Sequence, residues 1–193
     1  MGKSEKINKY LTEERETLKK KYNRVLPTNE LLYDRWEKAK YLGFGKDSTI
    51  YDTSVVFGDV VVGDNVWVGP YTLLDGFYAE LKIGNFVSIN SGVQIYTHDT
   101  TDYYLSGGKA EYKKGSVEIG ENSVIGSMSI VTQGVKIGKN SLVWANSLVT
   151  KDVPDNTIVS GNPAKIIGKI ERTGEGIKKV YFDKMIQEKG EAR

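Results

Sequence analysis

His98 is the only histidine in a chain of 193 residues that contains no cysteine. It belongs to the one residue type that, unaided by its surroundings, exchanges a proton near neutral pH. Its neighbourhood, Ile95-Tyr96-Thr97-His98-Asp99, sets a hydroxyl before the imidazole and a carboxylate after it. The chemistry this suits is proton transfer near neutral pH. Lack of cysteine excludes disulfides, thiolate metal sites and a thiol nucleophile. Other groups able to bind or orient a reactant cluster on both sides of His98. They are Asp75 before it, Asp99 beside it, and Tyr103, Tyr104 and Lys109 after it. These are candidate substrate contacts, or a partner that orients His98.

The elements that must position these groups are written in a six-residue stride. Ile50, Val56, Val62, Val68 and Leu74, then Ile83, Ile89 and Ile95, then Ile119, Ile125, Val131, Ile137, Val143 and Val149 are all aliphatic. The residue four places on is Ser, Thr or Val after every one except Leu74 and Ile95. An even stride puts the aliphatic residue and its small partner on the same side of a strand. Hexapeptide periodicity of this kind predicts a parallel β-helix, in which each repeat adds one short strand and adjacent coils bury each other's apolar faces. An antiparallel sandwich expects turns about every 8–12 residues, which a strict six does not fit.

The stride breaks twice. Between Leu74 and Ile83 the spacing is nine, so three residues bulge out, and between Thr100 and Val117 a longer loop holds Tyr103, Tyr104, Lys109, Tyr112 and two further lysines. Insertions in a solenoid map to loops on one face, where binding often occurs. Three segments follow. Residues 1–42 read as two helices separated by Pro27, residues 43–168 as the β-helix, and residues 169–193 as a charged tail with a short helix around Ile177 to Glu188 that closes the end of the coil.

A net charge of +2 with no basic cluster among aromatics argues against a nucleic-acid partner. The charged N-terminus and the lack of any apolar run of about 20 residues predict no signal peptide and no membrane span, and hence a cytoplasmic protein.

The hexads, Thr97-His98-Asp99 ahead of a loop, Ile125-Gly126-Ser127, and the closing runs Val149 to Pro154 and Ser160-Gly161-Asn162-Pro163-Ala164-Lys165 resemble the hexapeptide-repeat acyltransferases. Within them the likeness is to sugar O-acetyltransferases of the galactoside, maltose and polysaccharide type. The resemblance covers about residues 50–168 and implies a mainly β fold, a left-handed parallel β-helix. It also implies acetyl-CoA as co-substrate and a homotrimer with sites between subunits. It makes His98 the general base and the Ser127 N–H the oxyanion donor. Gly126, Ser127, Trp144, Ala145, Lys151, Asn162, Pro163 and Lys165 would meet CoA. Two positions depart from that pattern: Trp144 replaces a small residue, and Thr72 stands where the galactoside and maltose branch carries an asparagine that holds the sugar. The implied reaction is acetyl transfer to a sugar hydroxyl. The alternatives are N-acetylation of a nucleotide-linked amino sugar and a non-catalytic β-helix scaffold. A γ-type carbonic anhydrase shares the coil but needs three imidazoles around zinc, so no metal is expected.

Overall fold

A computed structural model of the protein describes residues 2–174 and 176–183. The hexads wind into a three-faced prism of parallel strands. On the first face Thr49–Ile50, Trp67–Val68, Ser88–Ile89, Val124–Ile125, Leu142–Val143 and Thr157–Ser160 pair in that order. The second face stacks residues 55–56, 73–74, Gln94–Ile95, Ile130–Val131 and Leu148–Val149. The third stacks residues 61–62, 82–83, 118–119 and Lys136–Ile137, and ends in a bridge to Val153. Together they form a left-handed parallel β-helix of about six turns.

The aliphatic anchors supply the core. Ile50, Val68, Leu74, Ile89, Ile95, Ile125, Val131, Ile137 and Val143 are wholly buried, and each such side chain contributes about 1.5–3 kcal/mol of transfer free energy. The residue before each anchor points outward, and its chemistry differs by face. The third face shows Val61 and then Lys82, Glu118 and Lys136, with Lys136 paired to Glu118 at 3.0 Å. The second shows a largely aliphatic row, Val55, Leu73, Gln94, Ile130 and Leu148.

The small residues at the corners have a defined task. Ser123 Oγ donates to the Gly138 carbonyl at 2.9 Å and accepts from the Ser141 N–H at 3.0 Å; Ser129 Oγ likewise joins the Trp144 carbonyl to the Ser147 N–H. A corner cannot pair its backbone in a regular ladder, and the buried hydroxyl replaces the missing partners. Asn65, Asn122, Asn140, Asn146 and Asn156 turn these corners with left-handed backbone, a conformation asparagine tolerates.

At the N-terminus lie α1 (Lys3–Tyr22), α2 (Asn29–Leu32) and α3 (Arg35–Tyr41). The second expected helix is thus divided, because Asp34 accepts from the Trp36 and Glu37 N–H groups and starts a new helix there. α3 buries Ala39 against the first coil, and Lys38 Nζ donates to the carbonyls of Tyr51, Asp52 and Ser54.

The described part of the C-terminal tail is not helical, contrary to the sequence expectation. Lys165–Thr173 pairs antiparallel with Thr157–Ser160, and Gly176–Tyr181 pairs antiparallel with Lys165–Thr173. The last coil leaves a row of unpaired N–H and C=O groups, and a hairpin satisfies them where a helix could not. Position 168 therefore falls inside a strand, and residues 184–188 of the expected helix lie outside the described residues. No helix among the described residues is long and apolar enough to cross a membrane.

Candidate functional site

Both breaks in the stride leave the coil at one corner, between the second and third faces. In the shorter break, residues 73–76 pair with 55–58 and residues 81–83 with 60–62, so the chain from Phe77 to Glu80 bulges out opposite Asp59. In the longer break His98–Asp99 pairs antiparallel with Lys113–Lys114, and α4 (Thr101–Leu105) lies between.

His98 and Asp75 meet at this corner. Ile95 stacks on Leu74 one coil away, so the residues that follow each anchor emerge side by side. His98 Nδ1 stands 2.8 Å from Asp75 Oδ2, with side-chain exposures of 22% and 4%. The contact has ion-pair distance but lacks the alignment of a hydrogen bond. Asp75 Oδ1 accepts the Phe77 N–H at 2.9 Å, which fixes the carboxylate. Burial, and after it the Asp75 charge, push the Tyr96 phenol above its ordinary pKa. Asp99 turns elsewhere. Its Oδ1 accepts the Thr101 N–H at 2.8 Å, and hydrogen bonds from the Thr101 side chain and backbone hold its carboxyl below the usual carboxylate range.

One aromatic ring packs on the imidazole. Tyr78, from the short bulge, lies with its ring centroid 4.6 Å from that of His98 and also meets Tyr112 at 5.4 Å. Tyr112 meets Tyr103, and Tyr103 meets Tyr104. Tyr103 and Tyr104 were expected near the acceptor; Phe77 and Tyr78 were not, although an aromatic pair inside a three-residue excess is a visible signal. Lys109 is exposed, with its N–H bonded to Ser106 Oγ.

The residues expected to meet CoA gather on a different corner, between the first and second faces. Gly126 packs so closely that a Cβ there would lie 2.5 Å from the Ala145 nitrogen and 2.7 Å from the Val143 oxygen. The Ser127 carbonyl accepts from Asn146 N–H, while the Ser127 N–H donates to no described residue. That leaves a backbone donor available beside a glycine that keeps the surface low. Asn162 and Pro163 follow the last coil strand below Ala145, and Lys165, exposed, sits opposite Ser160. Trp144 is committed to the C-terminal hairpin, its ring 5.5 Å from that of buried Tyr181. Lys151 is exposed and lies on the His98 corner instead. Thr72 is buried, its N–H bonded to Ser54 Oγ, so it faces the coil and not a ligand.

Within one chain the second face separates His98 from Ser127. A cleft of about 530 Å³ lies between α1 and α2–α3 around Tyr10, Leu18, Trp36 and Tyr51, away from the imidazole.

Residues 116–151 match the family model for bacterial transferase hexapeptide (six repeats). The chain is 38% identical over 143 residues to the Bacillus subtilis (strain 168) protein named "Putative acetyltransferase YvoF", covering 73% of this chain and 77% of that protein. It is 52% identical over 99 residues to Protein CapG of Staphylococcus aureus, across 47% of this chain and only about half, 54%, of that protein's length. Among solved structures, the hexapeptide-repeat containing acetyltransferase VCA0836 from Vibrio cholerae is similar with a TM-score of 0.63 at 28% identity, over 85% of this chain and 92% of that one. A second structure of VCA0836 is a complex with acetyl coenzyme A, at 29% identity and a TM-score of 0.51, over 88% of this chain and 91% of that one.

Proposed function

The chain belongs to the hexapeptide-repeat transferase family, and from that premise we propose that it moves the acetyl group of acetyl-CoA onto a sugar hydroxyl with His98 as general base. The observation that carries this reading is the buried Asp75 carboxylate 2.8 Å from His98 Nδ1. With Nδ1 turned to Asp75, Nε2 is the nitrogen left to accept the acceptor's proton. The acceptor oxygen attacks the thioester carbonyl carbon as His98 removes its proton, and Asp75 steadies the imidazolium that forms. The Ser127 N–H meets the negative charge that develops on the carbonyl oxygen. The carbon–sulfur bond then breaks, and the imidazolium returns its proton to the departing thiolate. Binding of acetyl-CoA by VCA0836 supports the donor. Gly126, Ala145, Asn162 and Pro163 would line its pantetheine arm, and Lys165, with Lys151 of the adjacent copy, would meet its phosphates as compact cations.

Assembly of the site follows from the outward rows. Val55, Leu73, Ile130 and Leu148 make the second face apolar, and its two edges are the Ser127 corner and the His98 corner. Three copies packed with these faces toward a common axis set the Ser127 corner of each beside the His98 corner of the next. Exposed Tyr71 and Met128 on the Ser127 corner suit such a contact. The homotrimer, with three intersubunit sites, is part of the proposal, as is a cytoplasmic location with access to acetyl-CoA.

The test is release of free thiol from acetyl-CoA in the presence of sugars, oligosaccharides and nucleotide-linked amino sugars, with the product identified by mass spectrometry. His98→Ala should lower kcat by about a hundredfold or more; near-normal turnover in that variant overturns the base assignment. Acetylation of an amine alone would replace the O-acetyl reading with the N-acetyl one, and no thiol release with any acceptor would favour the scaffold.

A further inference from the structure

Five aromatic rings form a continuous ridge that begins at the base. Phe77 meets Tyr78 at 4.9 Å between centroids, Tyr78 meets Tyr112 at 5.4 Å, Tyr112 meets Tyr103 at 4.9 Å and Tyr103 meets Tyr104 at 5.3 Å, each edge to face. Tyr78 in turn lies 4.6 Å from the His98 ring. The inner three rings are engaged with at least two neighbours and hold the two insertions together. The end rings are different: Phe77 is 64% exposed, Tyr104 is 71% exposed, and each touches a single ring of the ridge. Neither insertion belongs to the hexad repeat, so the coil does not require these side chains for its core.

We propose that this ridge is an extended acceptor platform, and that the acceptor is an oligosaccharide several sugars long, one of whose hydroxyls reaches His98. The inference rests on the acetyl-transfer reading above and narrows its acceptor. Exposed aromatic faces take up the C–H face of a pyranose by dispersion and burial of apolar surface, while phenol hydroxyls and water serve its hydroxyl rim. A monosaccharide with its reacting hydroxyl at the imidazole covers Tyr78 and at most the adjacent ring. Tyr104 lies three ring contacts beyond Tyr78, so only a longer chain uses it. Two of the three lysines of the longer loop are already engaged, Lys113 with Asp102 at 2.7 Å and Lys114 over the Tyr78 ring, which leaves Lys109 alone to meet a diphosphate.

The experiment compares glucose, N-acetylglucosamine, maltotetraose, cellotetraose, chitotetraose and a nucleotide-linked hexose as acceptors for the wild-type protein, Phe77→Ala and Tyr104→Ala. Loss of one stacked ring corresponds to about a three- to tenfold rise in acceptor KM. Tyr104→Ala should show that rise with a tetrasaccharide while kcat, the acetyl-CoA KM and the monosaccharide KM stay at wild-type values. Phe77→Ala should weaken the short and the long acceptor alike. Equal kcat/KM for monosaccharide and tetrasaccharide, an unchanged tetrasaccharide KM in Tyr104→Ala, or preference for the nucleotide-linked hexose would overturn the proposal. Binding of the tetrasaccharides, followed by calorimetry without acetyl-CoA, separates the two hypotheses: binding lost in Tyr104→Ala supports the platform even if no acceptor is acetylated, and no binding by the wild type refutes it whatever the thiol assay shows.

Discussion

Replacing Asp75 by Asn isolates the charge behind the base. The amide oxygen can still accept the Phe77 N–H now held at 2.9 Å, so the local turn is preserved, whereas Asp75→Ala would also empty a buried site. What changes is the atom 2.8 Å from His98 Nδ1, from a carboxylate oxygen to an NH2 group. During transfer the imidazole becomes a cation. A carboxylate whose charge centre is about 4 Å away, at an effective dielectric constant near 20, attracts that cation by about 4 kcal/mol. Water reaching His98, 22% exposed, makes this an upper figure. The interaction exists only once the proton has moved, so its loss falls on kcat and not on binding. The new amide donor also favours the tautomer that carries its proton on Nε2, which cannot act as a base. The expected result is a kcat lower by about a hundred- to a thousandfold, with the acetyl-CoA KM changed by less than about threefold. Thiol release under saturating acceptor measures both, and a thermal melt within a few degrees of wild type confirms that folding is unaffected. A kcat within about threefold of wild type would refute the role given to Asp75.

On the other corner, Ser127→Ala should keep kcat within about threefold, because the N–H survives. Gly126→Ala, whose Cβ must push against the Ala145 and Val143 backbone, should cost about 1–3 kcal/mol in a denaturant melt and lower kcat as well. Trp144→Ala should speed amide exchange in Gly176–Tyr181 through loss of the Tyr181 contact while leaving the acetyl-CoA KM within about threefold. Hydrogen bonds from the Thr101 side chain and N–H depress the folded-state pKa of Asp99. Their contribution is therefore complete above the ordinary carboxylate pKa and is lost as pH falls through the depressed value, below about pH 4. Protection factors across residues 100–106 should drop over that range, and Asp99→Asn should remove the dependence.

The coil was legible because its signal is redundant: each anchor and its small partner repeat in step, and the excess of three residues after Leu74 placed the bulge correctly. His98 stood out by composition alone. Its pairing with Asp75 rather than Asp99 was not decidable from adjacency, since neighbours in sequence diverge at a corner whereas residues one coil apart converge. In the tail the charged composition suggests a helix, but another pattern decides against it. Gly174 and Gly176 between apolar-containing runs are a hairpin signal, and the need to cover the last coil decides in its favour. The division of the second helix was signalled by Asp34, a capping residue followed by Trp36 and Glu37.

Both insertions leave the prism at the same corner, while the glycine-lined surface around Ser127 occupies another. On the proposed reading, recognition of acceptor and donor is thereby written largely into separate stretches of chain. Lengthening or recomposing the excursions would then change the proposed acceptor without touching a single anchor of the spiral or the surface proposed to receive the thioester. A family built this way can diversify its acceptors by editing one vertex and conserve its donor by leaving the other alone.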